Sequence, residues 1–183
     1  MIPNQDIKLH LGCGKKILKG WINIDKLPTS DEVIEDDIAS LEKITNGTVD
    51  IIYACHVLEH FGRHEIDTVL KKWFDKLKNG SKIRIAVPDF DAVCKRYSEH
   101  KKIEEILGLV CGGQRNDYDF HKVIFNFNTL KTHLENAGFV DVKRYCWREV
   151  DHSEVDDYSQ SYLPHMSKDE GMLMSLNVEA KKI

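Results

Sequence analysis

Short apolar runs alternate along the chain with longer stretches in which apolar residues recur every three or four positions. The short runs are rich in β-branched residues and contain few charges, which is typical of strands that are buried on both faces of a sheet. They lie at residues 7–11, 21–24, 33–34, 49–54 and 82–87. Residues 65–77 repeat their apolar side chains at helical spacing, and Asn79-Gly80 is predicted to stop this helix. The order of strand, helix and strand predicts a crossover unit of a parallel sheet.

The second half of the chain continues the alternation. Helices are predicted at 89–100 and 103–110, and another is predicted to begin at Phe127-Asn128 and to end at Gly138. Strands are predicted at 140–147 and 172–180, and we interpret the polar stretch 151–165 as a solvated connection, with a lid as the alternative. These elements predict an α/β fold, with a doubly wound sheet of about seven strands and helices on both faces.

Composition narrows the class of protein. The chain has 183 residues with 42% hydrophobic content and no repeat or linker, so we expect one domain over residues 1–183. Residues 1–8 show no signal-peptide pattern, and no apolar run approaches the roughly 18 residues of a membrane span. The five cysteines are scattered without a C-x-x-C pair, which favours reduced thiols and a cytoplasmic location. The net charge of −4 and the lack of a basic stretch argue against a nucleic-acid partner.

A glycine-containing loop, Leu11-Gly12-Cys13-Gly14, follows the first predicted strand. Such glycines let a ligand approach bare backbone, although alone the pattern fits a plain surface turn equally well. Asp25 ends the next predicted strand, where an acid can accept hydrogen bonds from the ribose of an adenosine. A dinucleotide site would need a third glycine and an acid about 20 residues on, whereas Asp25 is 13 positions after Gly12 (25 minus 12). The spacing therefore favours a nucleoside cofactor without phosphates.

Five blocks in order resemble the class I S-adenosylmethionine-dependent methyltransferases, particularly a compact UbiE-like, or type 11, group. The blocks are L-H-L-G-C-G at 9–14, G-W-I-N-I-D at 20–25, D-I at 37–38, V-D-I-I at 49–52 and H-V-L-E-H at 56–60. The resemblance extends through residues 78–88 and 134–139 and covers most of the chain. It implies a Rossmann-like methyltransferase fold with a mostly parallel seven-stranded sheet, an antiparallel C-terminal strand and S-adenosylmethionine as the cofactor.

The same resemblance implies which residues hold the cofactor. Gly12 and Gly14 would face its methionine part, Asp25 its ribose and Asp37 its adenine amino group. The complete implied set is Leu11, Gly12, Cys13, Gly14, Asp25, Lys26, Asp37, Ile38, Cys55 and His56. Ile38 would cover the adenine ring, and Cys55 and His56 would line the methionine side. Alternatively, Asp37 begins a short helix at 38–44 and Ile38 is an ordinary core residue.

The stretch His56-Val-Leu-Glu59-His60 also matches H-x-x-E-H, a zinc-peptidase pattern that must lie on a helix. Because residues 49–55 are predicted as a strand that ends where the motif begins, we predict no metal site and keep zinc as the alternative. As a methyltransferase residue, His60 is the first candidate for a general base. It is alternatively a hydrogen-bonded residue at a helix start.

The glycine-led polar loop at 112–121 is the kind of loop that carries specificity. In the resembling group this region lies over the acceptor site, which implies acceptor contacts from Asp89, Arg115, Asp119 and His121, with His121 as the alternative base. We expect methyl transfer to an oxygen of a small or carbohydrate-like acceptor. The expectation of a carbohydrate is implied by the resemblance to compact methyltransferases of surface-polysaccharide pathways. A protein that binds S-adenosylmethionine without catalysis is the remaining alternative.

Overall fold

The computed structural model describes residues 6–183, in which seven strands form one sheet. These strands are β1 (Lys8–Leu11), β2 (Ile22–Asp25), β3 (Val33–Glu35), β4 (Val49–Cys55), β5 (Leu77–Pro88), β6 (Val140–Arg144) and β9 (Ser175–Lys181). They are arranged in the order β3-β2-β1-β4-β5-β9-β6, and β9 is antiparallel to both of its neighbours while the other pairs are parallel. The predicted mostly parallel sheet with an antiparallel C-terminal strand is confirmed.

The helices and the remaining strands lie between these elements. They are α1 (Ile66–Lys76), α2 (Phe90–His100), α3 (Leu107–Cys111), α4 (Phe127–Ala137) and the short pair β7 (Tyr162–Leu163) and β8 (Met172–Leu173). As predicted, Gly138 ends α4 in a left-handed conformation, and the amide of Phe139 donates to the carbonyl of Leu134. Among residues 6–183, no helix combines the length and the apolar character that crossing a membrane requires.

One face of the sheet is apolar and lies under α1 and α4. Leu9, Ile52 and Ile83 are paired in register across β1, β4 and β5, and all three are fully buried. Helix α1 contributes Trp73 and α4 contributes Leu134 to the same core. Because residues alternate between the faces of a strand, this register places every second residue of the central strands into one hydrophobic layer.

The other face carries a row of buried polar side chains, which we call the polar row: Asn23, His10, Tyr53, Arg84 and Glu179. They are in register across β2, β1, β4, β5 and β9. His10 Nδ1 lies 3.0 Å from Asn23 Oδ1, the rings of His10 and Tyr53 are stacked at 5.3 Å, and Arg84 Nε donates to Glu179 Oε2 at 2.9 Å. Buried polar groups of this kind need partners on every side.

An irregular segment at 145–161, rather than a helix, covers the polar row. Arg84 Nη1 donates to Asp151 Oδ1 at 2.8 Å, and the hydroxyl of Tyr53 donates to Asp157 Oδ2 at 2.7 Å. The ring of His152 lies 4.0 Å from that of Tyr53. The expectation of helices on both faces is therefore wrong over the polar row. The interpretation of 151–165 as a solvated connection is also wrong, because Asp157 and Ser159 are buried.

Several predicted boundaries also differ from the structure. Helix α1 ends at Lys76 and the chain enters β5 directly, so Asn79-Gly80 lies inside a strand, where the amide of Gly80 donates to the carbonyl of Lys182. The helix predicted at 103–110 is a 3-10 turn (Ile103–Glu105) followed by α3. The strand predicted at 140–147 ends at Arg144, and the one at 172–180 divides into β8 and β9. Residues 38–44 form successive turns and no helix.

The burial of His152 predicts a loss of stability in acid. Its Nε2 has no hydrogen-bond partner in the described part of the chain, and burial lowers its pKa to about 4. In the unfolded chain an imidazole titrates near pH 6.5. The neutral His152 ring therefore makes its full contribution to the free energy of unfolding above that pH, and this contribution is lost as the pH falls toward 4. The variant His152→Phe keeps a ring against Tyr53 but has no group to protonate. Between pH 7 and 4.5 we expect its free energy of unfolding to fall by roughly 2 to 3 kcal/mol less than that of the unaltered protein.

Urea unfolding of both proteins at a series of pH values measures this difference. His165→Phe is the matched control, because it makes the same substitution at an exposed position. Parallel profiles for His152→Phe and the unaltered protein would contradict the assignment.

Candidate functional site

The strand order reverses between β1 and β4, and ligands of open α/β sheets bind at the carboxyl ends of the strands at such a point. The loop Gly12-Cys13-Gly14 leaves β1 at this edge with positive φ at both glycines, 62° and 53°. The amide of Gly12 donates to the carbonyl of Ile24 at 2.8 Å, which keeps the turn against β2. A β-carbon added to Gly12 would lie 2.3 Å from Val57 Cγ2, whereas one on Gly14 would meet no heavy atom within 4 Å. Gly12 is thus required by packing, and Gly14 offers open backbone.

Asp25 ties this loop to the end of β2. Its Oδ2 accepts from the amide of Gly14 at 2.8 Å and its Oδ1 accepts from the amide of Leu27 at 2.9 Å. The hydroxyl of Thr29 donates to the carbonyl of Gly14 at 2.7 Å. Since each carboxylate oxygen can accept more than one hydrogen bond, Asp25 can hold the loop and still receive a ribose hydroxyl.

The residues implied to surround adenine lie beyond β3. Asp37 is exposed, and its Oδ1 accepts from the amide of Ala39 at 2.9 Å. Ile38 is half-buried against the main core, and its carbonyl accepts from Trp73 Nε1 at 2.6 Å. The alternative in which Ile38 packs against the core is therefore present in the structure, while its contact with adenine stays a prediction.

Lys26 connects the cofactor side with the acceptor loop. Its ammonium group lies 4.9 Å from the ring centroid of Tyr118, in the loop at 112–121. That loop is folded tightly on itself, because a β-carbon on Gly112 would lie 2.4 Å from the carbonyl oxygen of Asp119. The two halves of the predicted site thus meet at the same edge of the sheet.

Of the two predicted cysteines, Cys13 is buried and Cys55 is half-buried, and neither has nucleophilic character. Leu11 is fully buried and Cys13 is 4% exposed. Burial is the main cause that raises the pKa of Cys13 to about 12, and it also raises the pKa of Cys55 well above its ordinary value. Both thiols are protonated at neutral pH, and all five cysteines are free, so these two can contribute packing but not thiolate chemistry.

His56 follows β4 with a φ of 53°, outside helical geometry, and Leu58–His60 forms only a 3-10 turn. His56 and His60 therefore do not lie one turn apart on a helix, and the zinc-peptidase arrangement is not formed. The ring of His56 lies under Tyr158 at 5.2 Å, and its Nδ1 is 3.4 Å from Glu59 Oε1. Burial lowers the pKa of His56 to about 3, so its imidazole is neutral.

Glu59 is 1% exposed, and both of its carboxylate oxygens lack a hydrogen-bond partner in the described part of the chain. Burial raises its pKa to about 8. Its backbone carbonyl accepts from the amides of Lys122 and Val123, which holds the end of the acceptor loop beside it. His121 Nε2 consequently lies 3.8 Å from Glu59 Oε1.

His60 and His121 come together at this point, with ring centroids 4.8 Å apart. His60 Nδ1 lies 3.1 Å from the carbonyl oxygen of Phe120, and His121 Nδ1 lies 2.9 Å from that of Leu109. A carbonyl can only accept, so both Nδ1 atoms carry the proton and both Nε2 atoms carry a lone pair. Burial lowers the pKa of both imidazoles. They are neutral and suited to accept a proton or to bind a metal ion.

The other predicted acceptor contacts have structural partners. Asp89 is buried, its Oδ1 accepts from the amide of Asp91 at the start of α2, and its Oδ2 lies 3.0 Å from Arg144 Nη1. Arg115 is exposed, and its Nε lies 2.6 Å from Asp119 Oδ2. Contact of Asp89, Arg115 or Asp119 with an acceptor stays a prediction.

Two contributors were missed by the sequence-based expectations. Glu59 was considered only as a zinc-peptidase residue, although the spacing in H-V-L-E-H already placed it between two histidines. Tyr158, which covers His56, lies 102 positions away (158 minus 56), and no local pattern indicates that contact.

No family model matches the chain, and no curated protein matches it. Solved structures do resemble it. A SAM-dependent methyltransferase from Archaeoglobus fulgidus is 18% identical with a TM-score of 0.59, covering 98% of this chain and 87% of that one. A SAM-dependent methyltransferase from Thermotoga maritima is 15% identical with a TM-score of 0.59, covering 97% and 82%. A complex between the Haloferax volcanii Trm112 methyltransferase activator and a methyltransferase gives 11% identity and a TM-score of 0.58, covering 97% and 82%.

At these identities the likeness shows the fold. The chain has the Rossmann-like fold of the class I S-adenosylmethionine-dependent methyltransferases, with the seven-stranded sheet and antiparallel strand that the sequence resemblance implied.

The two loop glycines predict different costs of substitution. Both have positive φ, so alanine strains either position by about 1 kcal/mol, but only at Gly12 does the new β-carbon clash with Val57. We expect Gly12→Ala to lower the free energy of unfolding by roughly 2 to 4 kcal/mol and Gly14→Ala by about 1 kcal/mol. Urea unfolding without ligand measures both.

The clash itself is tested by the double variant Gly12→Ala/Val57→Ala. Removing the Val57 methyl groups should recover part of the loss at Gly12, so that the two effects are not additive. Strict additivity would show that the contact does not limit residue 12.

Proposed function

We propose that the protein transfers a methyl group from S-adenosylmethionine to an oxygen of a small or carbohydrate-like acceptor. The observation that carries the proposal is the meeting of two sets of groups at the switch point of a class I methyltransferase fold. The glycine loop and Asp25 form one set, and the His60 and His121 pair forms the other. Val57, which leaves no room for a β-carbon at Gly12, and Tyr118, which lies against Lys26, join the segments that carry the two sets.

The cofactor side suits a nucleoside that carries no phosphate. Residues 15–20 form turns and irregular backbone, so β1 is not followed by the helix N-terminus that holds a pyrophosphate in dinucleotide-binding proteins. In the proposed complex Asp25 accepts from the ribose hydroxyls, Asp37 from the adenine amino group, and Gly14 exposes backbone toward the methionine part. The remaining contacts are assigned to Leu11, Gly12, Cys13, Lys26, Ile38, Cys55 and His56.

Methyl transfer is an in-line displacement at carbon, in which the acceptor oxygen forms a bond and the sulfonium loses its positive charge. Most of the rate enhancement comes from holding the two reactants in line. A hydroxyl acceptor must also lose its proton, and Nε2 of His60, or alternatively of His121, has the lone pair for it. Both imidazoles are neutral at physiological pH, which is the form that accepts a proton.

Cofactor binding can be tested at Asp25 by calorimetry. Asp25→Asn keeps the size of the side chain but removes the charge and one acceptor oxygen. We expect its dissociation constant for S-adenosylmethionine to be at least about tenfold higher than that of the unaltered protein. Asp31→Asn, at an exposed position before β3, should leave the affinity unchanged. If the unaltered protein binds neither S-adenosylmethionine nor S-adenosylhomocysteine, the proposed cofactor is wrong.

The histidine pair can be tested by turnover with hydroxyl-bearing glycans, using mass spectrometry to find the methylated product. We expect His60→Ala or His121→Ala to reduce turnover by about 100-fold or more while the affinity for S-adenosylmethionine is largely kept. His64→Ala, at an exposed histidine of the same segment, serves as the control. If neither substitution slows turnover, the base assignment is wrong. Cofactor binding without a product from any acceptor would favour the non-catalytic binding protein.

A further inference from the structure

Glu59, His60 and His121 place three metal-binding side chains around one point beside the proposed acceptor site. Each offers a ligand atom, and these atoms lie within 4.8 Å of one another. The residues come from the turn after β4 and from the end of the acceptor loop, and the backbone hydrogen bonds between Glu59 and the amides of residues 122 and 123 hold the two segments together.

The imidazoles are oriented as metal ligands usually are. A histidine that binds a metal through one nitrogen commonly donates its other N–H to a carbonyl, which sets the tautomer and the direction of the ring. His60 does this with Phe120 at 3.1 Å, and His121 does it with Leu109 at 2.9 Å. Both arrangements leave the Nε2 lone pair available for a cation.

The carboxylate gives a second, independent indication. Glu59 is 1% exposed, and neither of its oxygens has a hydrogen-bond partner in the part of the chain that the structure describes. A buried carboxyl without partners is costly, because it has lost its hydration and gained nothing in return. Its neighbours are the rings of His56 and His121, at 3.4 and 3.8 Å from Oε1. A cation bound between the carboxylate and the imidazoles would satisfy it.

We propose that Glu59, His60 and His121 bind a divalent transition-metal ion of the zinc class. Two imidazoles and one carboxylate form a ligand set that suits Zn²⁺ and its neighbours in the first transition row, and not Mg²⁺ or Ca²⁺, which prefer oxygen ligands. Three protein ligands leave at least one position for water or for an acceptor oxygen.

The observed spacing is close to what such an ion requires. Ligands about 2.1 Å from a tetrahedral zinc ion are separated by about 3.4 Å. The distance of 3.8 Å between His121 Nε2 and Glu59 Oε1 is near this value. The ligand atoms of all three residues lie within 4.8 Å of one another, so small side-chain shifts would bring them to the spacing that a bound ion requires. His56 is not among the three ligands, so this site differs from the H-x-x-E-H site in both its residues and its geometry.

Metal binding can be measured without cofactor, acceptor or turnover. The full chain is freed of metal with a chelator, and Zn²⁺ is then titrated into it by calorimetry, with Co²⁺ absorption as a second readout. We expect one equivalent to bind. We expect Glu59→Gln and His121→Ala each to weaken binding by about 100-fold or more, because each removes one of three ligands. His64→Ala should bind as the unaltered protein does.

Thermal unfolding with and without Zn²⁺ shows whether each variant is folded and stabilised by the ion. Lack of binding by the folded, unaltered protein would overturn the proposal. So would undiminished binding by Glu59→Gln and His121→Ala, which would place the ion elsewhere, for example on cysteines.

The test is separate from that of the proposed function. Calorimetry with S-adenosylmethionine on the metal-free protein tests the cofactor, and Zn²⁺ titration without cofactor tests the metal. Proton acceptance and metal binding use the same Nε2 lone pairs, so a metal-loaded His60 or His121 cannot also act as a free base. Turnover that requires the bound metal would favour activation of the acceptor by the ion over general-base catalysis.

Discussion

Arg84 lies in the middle of the sheet with its guanidinium group buried, and a buried charge is stable only when it is paired and hydrogen-bonded. Its partners are Glu179 in β9 and Asp151 in the covering segment. The ion pair with Asp151 and the hydrogen bond from Tyr53 to Asp157 hold residues 145–161 against the polar row. Tyr158 belongs to the same segment and lies over His56. Charge pairing on one face of the sheet therefore helps to shape the candidate site at its edge.

The strands and their class of assembly could be predicted, because β-branched runs, a clear amphipathic helix and the order of blocks all indicate the same fold. The errors arose where tertiary contacts override local patterns. Asn79-Gly80 has the composition of a helix stop, but Leu77 already pairs with Val49 of β4, and the amide of Gly80 donates to the carbonyl of Lys182, so the chain is extended there. The segment 151–165 has a solvated composition, but its residues His152, Asp157, Ser159 and Gln160 are buried, because the sheet beneath them is polar as well.

The candidate site was only partly predictable for a related reason. Local spacing suffices to place the glycine loop, Asp25 and His60 at the carboxyl ends of neighbouring strands. His121 is 61 positions from His60 (121 minus 60), and only the folded acceptor loop brings the two rings together. The isolation of the Glu59 carboxylate depends on what surrounds it, and a sequence pattern does not contain that information. The tautomers of the histidines depend likewise on the carbonyls of residues 109 and 120.

Strand β9 pairs with β5 on one side and with β6 on the other, although it follows both in the chain. During synthesis, β5 and β6 leave the ribosome with their facing edges unpaired. Arg84 has no ion pair with Glu179 until β9 has been made. The glycine loop and residues 56–60 are synthesised long before β9, which completes the sheet that supports them. Until β9 is available, the nascent chain exposes strand edges of the kind that promote association between chains, so we expect this stage to be the one most exposed to misassembly.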